Sequence, residues 1–165
     1  MERQWKKTFV SLVATAVLLG PPCRGISRAT GEFRISKGQT VYVPAYSNVF
    51  SGPKALPLNL ATILSIRNTD PGATITITAT DYYDTNGKLL RNYRPKPVTL
   101  GPLASTHLYL EERDSAGGFG ASFIVRWEAA RAVNEPVIEC VMIGATSGQG
   151  ISFVSPGKVI KDGGR

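Results

Sequence analysis

The sequence predicts an all-β protein whose domain is an antiparallel β-sandwich, immunoglobulin-like, of seven to eight short strands. Segments rich in β-branched and aromatic residues recur along residues 39–156, separated by Gly, Pro, Asn or Asp. No β-α-β rhythm is visible, which argues against a doubly wound fold. The composition, 42% hydrophobic and 19% charged, is that of a globular chain. A closed barrel is the alternative architecture.

The N-terminal segment has the order of a secretory signal. Three basic residues within Met1–Lys7 precede an uncharged run, Thr8–Gly20, and small residues follow it. The run is shorter than the roughly 20 residues that a membrane-spanning helix needs. We therefore expect a signal peptide over residues 1–29, with cleavage after Ala29 favoured over cleavage after Gly25. This predicts a periplasmic or secreted protein.

Cys23 raises the alternative of a lipoprotein. A cysteine just after the apolar run can carry a lipid in bacterial lipoproteins, but processing usually needs a small residue other than proline before it. Pro22 stands there. We therefore favour a cleaved leader over lipidation, and expect membrane contact only through the signal peptide.

The charge balance gives little support to a nucleic-acid partner. The formal net charge is +7, but the first 29 residues hold five basic residues and one acidic residue. The remainder has 19 − 5 = 14 basic and 12 − 1 = 11 acidic residues, a net charge of +3. Since much of the basic character belongs to the leader, we expect no nucleic-acid partner.

The leader is followed by a polar lead over residues 30–38, the β-sandwich domain over 39–156 and a flexible tail over 157–165. The first predicted strand is Gln39–Val49, and its Pro44 indicates an edge strand or a bent one, because proline cannot donate to a sheet ladder. Ser51–Pro57 is predicted to be a loop. The second predicted strand is Leu58–Asn68.

Ala73–Tyr83 has the clearest strand pattern in the chain. Threonine at every second position from Thr74 to Thr80 alternates with Ala and Ile, which predicts a half-buried strand with its threonines facing water. Continued alternation places Asp81 on the apolar face of Ile75 and Ile77. A carboxylate on that face sits at the rim of the domain or needs a partner. The pattern does not choose among the candidate partners, which are Arg67, Arg94 and Arg126.

Asp84–Gly87 contains Asn-Gly, whose residues readily adopt the positive φ angles of a tight hairpin. Ala129–Val133 is the only stretch that could be helical, and Trp127 is the expected anchor of the core. The remaining predicted strands are Lys88–Tyr93, Thr106–Glu111, Ala121–Ala129, Val137–Ile143 and Ile151–Ser155.

The residue types that carry common chemistry are scarce. His107 is the single histidine and lies in a predicted strand, so a Ser-His-Asp triad has one possible base and no zinc motif can be assembled. Cys140 lies in an apolar stretch and is predicted to be a buried thiol. Gly117–Gly120 lacks the following Lys-Ser or Lys-Thr and the helix of a phosphate loop. We therefore assign no catalytic, cofactor-binding or metal-binding residue, and expect no cofactor.

A binding protein is the leading functional prediction, with another envelope protein or an envelope glycan as its partner. Three loops are the candidate contact regions: Asp81–Asn86, Asp114–Gly120 and Ser147–Gly150. The sequence does not establish that they share one end of the domain. The candidate binding residues are Asp81, Tyr83, Asp84, Asn86, Asp114, Gly118, Phe119 and Gln149.

Two other functions stay open. One is an envelope hydrolase that acts through carboxylates such as Asp81, Asp84 or Glu111. The other is a purely structural component of the envelope, which differs from the binding protein only in its partners.

Several separate motifs resemble a known bacterial family. They are Ser65–Asp70, Asp81–Leu89, Pro102–Ser105, Gly117–Trp127 and Met142–Gly144. In their order they resemble exported proteins that share a domain of unknown function, the DUF3124 family, and the resemblance covers roughly Gln39 to Ser155. It implies a bacterial source and a periplasmic or envelope setting. It implies no activity and no functional residues.

Overall fold

The computed structural model describes residues 34–146 and 149–163, with the side chains of Thr146 and Gln149 left aside. The predicted signal peptide and Cys23 lie outside these residues. The described chain is all-β, without a helix, and no helix in it is long and apolar enough to cross a membrane. Its twelve strands are β1 Ile35–Pro44, β2 Asn48–Ser51, β3 Leu56–Asn59, β4 Ala61–Arg67, β5 Ile75–Tyr83, β6 Leu89–Asn92, β7 Val98–Leu100, β8 Ser105–Leu110, β9 Ser122–Asn134, β10 Val137–Thr146, β11 Gln149–Pro156 and β12 Lys158–Asp162.

The strands form three antiparallel sheets, none of them closed into a barrel. The large sheet has six strands in the order β12-β1-β9-β5-β6, with β7 also paired to β5. The small sheet has the order β11-β10-β4-β8, and β2 pairs with β3 as a separate ribbon. The prediction of an all-β chain is confirmed. The predicted strand number of seven to eight is too low, because short strands such as β3, β7 and β12 carry little periodicity of their own.

The large and small sheets contribute to one hydrophobic core. The predicted anchor Trp127 is 2% exposed, and the alternate residues Phe123 and Val125 on the same strand are fully buried. The small sheet contributes Leu64, Ile66, Ile138, Cys140 and Met142 to the same cluster. Alternate residues of β4 and β9 therefore face the core, and the prediction that Trp127 anchors it is consistent with this burial.

A bulge in β5 changes which side chains point inward. Ile77 pairs with Trp127 and Ala79 pairs with Arg126, so Thr78 is an extra residue opposite two consecutive partners. Beyond the bulge the alternation is shifted by one, and Tyr82 is fully buried in the core. The predicted placement of Asp81 on the face of Ile75 and Ile77 is therefore wrong.

The same bulge places Thr80 inside the protein. Its side chain is 0% exposed, and its Oγ1 has no hydrogen-bond partner among the residues described. The expectation that every threonine of this strand faces water is therefore wrong at Thr80.

The N-terminal and C-terminal segments of the domain both contain more β-strand than the sequence predicts. β1 begins at Ile35, inside the expected polar lead, and lies between β9 and β12. It is therefore an interior strand, and Pro44 is tolerated because it is the last residue of the strand. The expected flexible tail contains β12, whose Val159 pairs with Val41. Backbone pairing with β1 orders this polar segment. Its composition alone does not indicate a strand.

Two other segments differ from their predicted state. The expected loop Ser51–Pro57 contains the start of β3, and Phe50 pairs with Pro57 across the β2–β3 ribbon. The stretch Ala129–Val133 is not helical and continues β9, where Val133 pairs with Ser36 of β1. Tertiary pairing overrides the weak helix propensity of its alanines.

Candidate interaction surface

Two of the three candidate loops meet at one end of the domain. The backbone N–H of Thr85, in the β5–β6 turn, donates to the Gly117 carbonyl at 3.0 Å. The Thr85 hydroxyl also donates to the Gly117 carbonyl, and it accepts from the Gly120 N–H, both at 3.0 Å. The segment after β1 joins them, because the Ser47 N–H donates to the Gly118 carbonyl at 3.0 Å. We call this region the loop end.

Glycines make this close approach possible. Gly118 has a φ of 72°, and a Cβ there would lie 2.7 Å from the Thr85 hydroxyl oxygen. A Cβ at Gly117 would overlap the hydroxyl of Tyr82. That hydroxyl lies 3.0 Å from Ser47 Oγ, and burial raises the pKa of Tyr82 above its usual value of 10.0. The predicted glycine-rich loop is therefore seated directly on the core.

Four aromatic rings cluster at the loop end, and we call Tyr46, Phe50, Phe119 and Phe153 the aromatic surface. Tyr46 packs edge-on against Phe119 and against Phe153, with ring centroids 5.2 Å and 5.6 Å apart. The ring of Phe50 lies 6.0 Å from that of Phe119. These spacings are those of favourable aromatic pairs. Four separate chain segments thus build one surface.

Two of these rings face solvent. Phe50 is 58% exposed and Phe119 is 49% exposed, whereas Tyr46 and Phe153 are half-buried and packed against the core. Isolated apolar residues are common on protein surfaces, but contiguous exposed aromatic rings often mark contact sites. Phe119 is a predicted binding residue, and the structure gives it two aromatic neighbours, Tyr46 and Phe50, that the sequence analysis missed.

The other three rings of the aromatic surface could not be recognised as surface residues from the sequence. Tyr46 and Phe153 lie in predicted strands, and Phe50 lies directly after one, where an aromatic residue is more often part of the core than of the surface. Their grouping depends on the β2–β3 ribbon and on β11, which only tertiary structure brings together.

Asp81 lies away from the loop end, on the outer face of the large sheet. Its Oδ2 accepts from Arg126 Nη1 at 2.7 Å, and its Oδ1 accepts from Asn92 Nδ2 at 2.8 Å. Of the three arginines considered as partners, Arg126 is therefore the one used. Both carboxylate oxygens are occupied, and the residue is 7% exposed.

The other predicted residues of the hairpin have local roles. Tyr83 is half-buried and ends β5 opposite Ser122. The Asp84 carboxylate accepts from the backbone N–H groups of Asn86 and Lys88, at 2.8 Å and 2.9 Å, and thereby fixes the turn. Asn86 is exposed at its tip.

Asp114 is held by an ion pair. Its Oδ2 lies 2.6 Å from Arg91 Nη1, and its side chain is 14% exposed. Glu111, one of the carboxylates considered for hydrolysis, is exposed directly after β8.

The third candidate loop is described only in part. Ser147 and Gly148 lie outside the described residues, as does the side chain of Gln149. β10, the strand before this loop, passes close to Leu60 near the loop end. A Cβ at Gly144 of β10 would lie 2.6 Å from Leu60 Cδ2. Leu60 in turn donates its N–H to the Ser47 carbonyl at 2.9 Å.

His107 and Cys140, the residues considered for catalysis or metal binding, lie in different environments. His107 is exposed in the middle of β8. Cys140 is fully buried, and desolvation raises the pKa of its thiol to about 12, which opposes thiolate chemistry. Within residues 34–146 and 149–163, no group of three or more His, Cys, Asp or Glu side chains could hold a metal ion.

Comparisons with known proteins give a family but no activity. The family model for a protein of unknown function, DUF3124, matches residues 38–160. A solved structure, the crystal structure of Thermotoga maritima 1070, is 14% identical with a TM-score of 0.46, and the alignment covers 75% of this chain and 96% of that one. No curated protein matches the chain significantly. Because the family model spans most of the sequence, this chain belongs to the DUF3124 family.

Proposed function

We propose that this chain is a non-catalytic binding module of the bacterial envelope, and that it contacts its partner through the aromatic surface. The observation that carries the proposal is the pair of exposed rings, Phe50 and Phe119, which are 58% and 49% exposed. Their position is fixed by ring contacts and by the hydrogen bonds of the loop end. A preformed surface loses little conformational freedom on binding.

The chemistry of the rings indicates what the partner offers. Phenyl rings have no hydrogen-bonding group, so they suit an apolar patch of a protein or the C–H face of a sugar ring. Aromatic residues are enriched at protein interfaces, where buried aromatic side chains often dominate the binding energy. Another envelope protein or an envelope glycan therefore remains the proposed partner.

The proposed fold is an immunoglobulin-like sandwich with altered outer strands. In an immunoglobulin domain the second and fifth strands pair in one sheet, and the third and sixth pair in the other. The corresponding pairs here are β4 with β8 and β5 with β9. The departure is that β1 lies beside β9 and β10 beside β4, which exchanges the usual positions of the first and last strands.

The proposed setting is the periplasm or the outside of the cell. It rests on the sequence of residues 1–29, with its basic start, apolar run and small residues before the cleavage position. Two measurements test this setting, the intact mass of the protein and its location after cell fractionation. A mass that corresponds to a chain beginning at Thr30 or Ile26 supports it, and a chain that retains Met1 and stays in the cytoplasmic fraction contradicts it.

The hydrolase alternative has less support. Asp81 is bonded to Arg126 and Asn92, and Asp84 holds its own turn, so two of the three carboxylates considered already have structural tasks. Catalytic carboxylates of glycosidases must instead face each other across the substrate.

Photocrosslinking in the producing cell tests the proposal. A photoreactive phenylalanine analogue is placed at Phe119 in one strain and at Leu103 in another. Leu103 is 68% exposed and donates its N–H to Asp70 before β5, at the opposite end of that strand from the loop end. We expect one defined adduct from position 119 and none from position 103. Equal labelling from both positions, or none from 119, contradicts the proposal.

A further inference from the structure

A polar cleft lies between the outer edges of the two sheets, apart from the aromatic surface. It is bordered by β6, the edge strand of the large sheet, and by the end of β8, the edge strand of the small sheet. Its volume is about 490 Å³, within the range of small-molecule sites. The polar and aromatic residues that line it are Arg91, Tyr93, Tyr109, Glu111, Arg113 and Asp114.

Hydrogen bonds connect the side chains on the β6 side of the cleft. Arg91 Nη1 donates to the Tyr93 hydroxyl at 2.9 Å and to Asp114 Oδ2 at 2.6 Å. Tyr93 in turn packs against Tyr82 and Phe123, with ring centroids 6.2 Å and 6.1 Å apart. The cleft is therefore connected to the core of the domain through Tyr93.

The segment that follows β8 contributes two further charged side chains to the cleft. Glu111 and Arg113 are exposed, and within the described residues their side chains make no hydrogen bond and no ion pair. Their backbones are fixed, because the Asp114 N–H donates to the Glu111 carbonyl at 2.9 Å and the Ser115 N–H donates to the Arg113 carbonyl at 3.0 Å. A hydrogen-bond acceptor and a hydrogen-bond donor thus line the same cleft and are available to a ligand.

The charges in the cleft balance. Two arginines face two carboxylates, so the site has no strong preference for a highly charged ligand. Tyr109, 57% exposed, and Tyr93 add aromatic faces and hydroxyls. A ligand that suits this combination has many groups that both donate and accept hydrogen bonds, together with an apolar ring face. Sugar units combine these properties.

We propose that the cleft between β6 and β8 binds a saccharide unit. Sugar hydroxyls donate to the Glu111 carboxylate and accept from the Arg113 guanidinium, while a ring face lies against tyrosine. This inference goes beyond the proposed function, because it concerns a different surface and stands whether or not the aromatic surface binds a partner.

Nuclear magnetic resonance titration of the purified protein tests the inference. The probes are glucose, N-acetylglucosamine, cellobiose and the β-1,4-linked dimer of N-acetylglucosamine, each added to millimolar concentration. We expect at least one of them to shift the amide signals of residues 111–116 and of Arg91 in a saturable manner. Silence of all four probes, or shifts confined to other surfaces, overturns the proposal.

Variants assign the binding to the cleft. Glu111→Gln and Arg113→Ala each remove one free polar group, and each is expected to weaken binding of the responding sugar by about tenfold, as for a lost hydrogen bond to a charged group. Glu112→Gln is the matched control, since Glu112 is an exposed neighbour that does not line the cleft, and it is expected to bind as the parent does. Equal affinity in all three variants overturns the assignment.

A fourth variant separates this proposal from the previous one. Phe50→Ala with Phe119→Ala is expected to leave sugar binding within about twofold of the parent, because neither ring borders the cleft. Loss of sugar binding in this variant contradicts a separate site.

Discussion

The Asp81 carboxylate and the Arg126 guanidinium form an ion pair across β5 and β9, with Oδ2 and Nη1 2.7 Å apart. The second carboxylate oxygen accepts from Asn92 on β6. One side chain therefore connects three neighbouring strands on the outer face of the large sheet. Its contacts identify Asp81 as a structural residue, although its sequence pattern made it a candidate for binding.

Replacing Asp81 with Ala tests this structural role. The change removes both contacts, and Arg126 is 45% exposed, so water partly compensates for the lost pair. We expect the free energy of unfolding to fall by about 1–2 kcal/mol. Urea unfolding followed by circular dichroism measures the change. Asp84→Ala, which affects only an exposed turn, is the comparison, and a larger loss there contradicts the assignment.

Gly117 is predicted to tolerate no side chain. A Cβ there would lie 2.6 Å from the Cβ of Ala121 and 2.7 Å from Cζ of Tyr82, both of which are buried. Gly117→Ala is therefore expected to lower the free energy of unfolding by about 1–3 kcal/mol, as overpacking does. Gly101→Ala is the control, because its Cβ would meet nothing within 4 Å.

The overlap at Gly117 includes the Tyr82 hydroxyl, which gives a second check. Tyr82→Phe removes that hydroxyl, so Gly117→Ala is expected to be less destabilising in a Tyr82→Phe background. Strictly additive effects of the two substitutions in a double-mutant cycle contradict this arrangement.

The thiol of Cys140 is predicted to be unreactive in the folded protein. It is fully buried, and its pKa is raised to about 12 because burial disfavours the thiolate. Stability therefore falls as the pH rises above the unfolded thiol pKa of about 8.5 towards 12. In a Cys23→Ser variant, a thiol reagent at pH 8 is expected to label the chain only in denaturant. Rapid labelling without denaturant contradicts the described core.

Asp70 is predicted to contribute to acid sensitivity. Its pKa lies below the ordinary 3.8, chiefly because its carboxylate accepts from the backbone N–H groups of Gly72 and Asn134. A lowered folded pKa stabilises the protein above about 3.9, and this contribution is lost as the pH falls through the folded value. Asp70→Asn is therefore expected to show a smaller drop in unfolding midpoint between pH 5 and pH 2.5 than the parent does.

The sequence predicted much of the fold because its strands alternate over a single core. Phe123, Val125 and Trp127 show the pattern clearly, and all three are buried. The pattern failed at Thr78, since a bulge leaves no mark in a run where threonine, isoleucine and alanine fit either face of a strand. The one-residue shift then moved Tyr82 inward and Asp81 outward.

The binding surface was only partly predictable. Phe119 lies in the glycine-rich loop Asp114–Gly120, and its place in that loop made it a candidate. Phe50 lies between a predicted strand and a predicted loop, a position that indicates nothing about its exposure. Its approach to Phe119, with ring centroids 6.0 Å apart, depends on how the β2–β3 ribbon meets the loop.

Binding of purified protein to envelope fractions tests the central claim most directly. The parent is compared with the double variant Phe50→Ala and Phe119→Ala, and with a matched double variant, Leu103→Ala and Ile160→Ala, whose parent residues are 68% and 56% exposed. We predict saturable binding by the parent and the matched variant, and at least about tenfold weaker binding by the Phe50 and Phe119 variant. Equal binding by all three, with unchanged stability, contradicts the claim that the aromatic surface is the contact site.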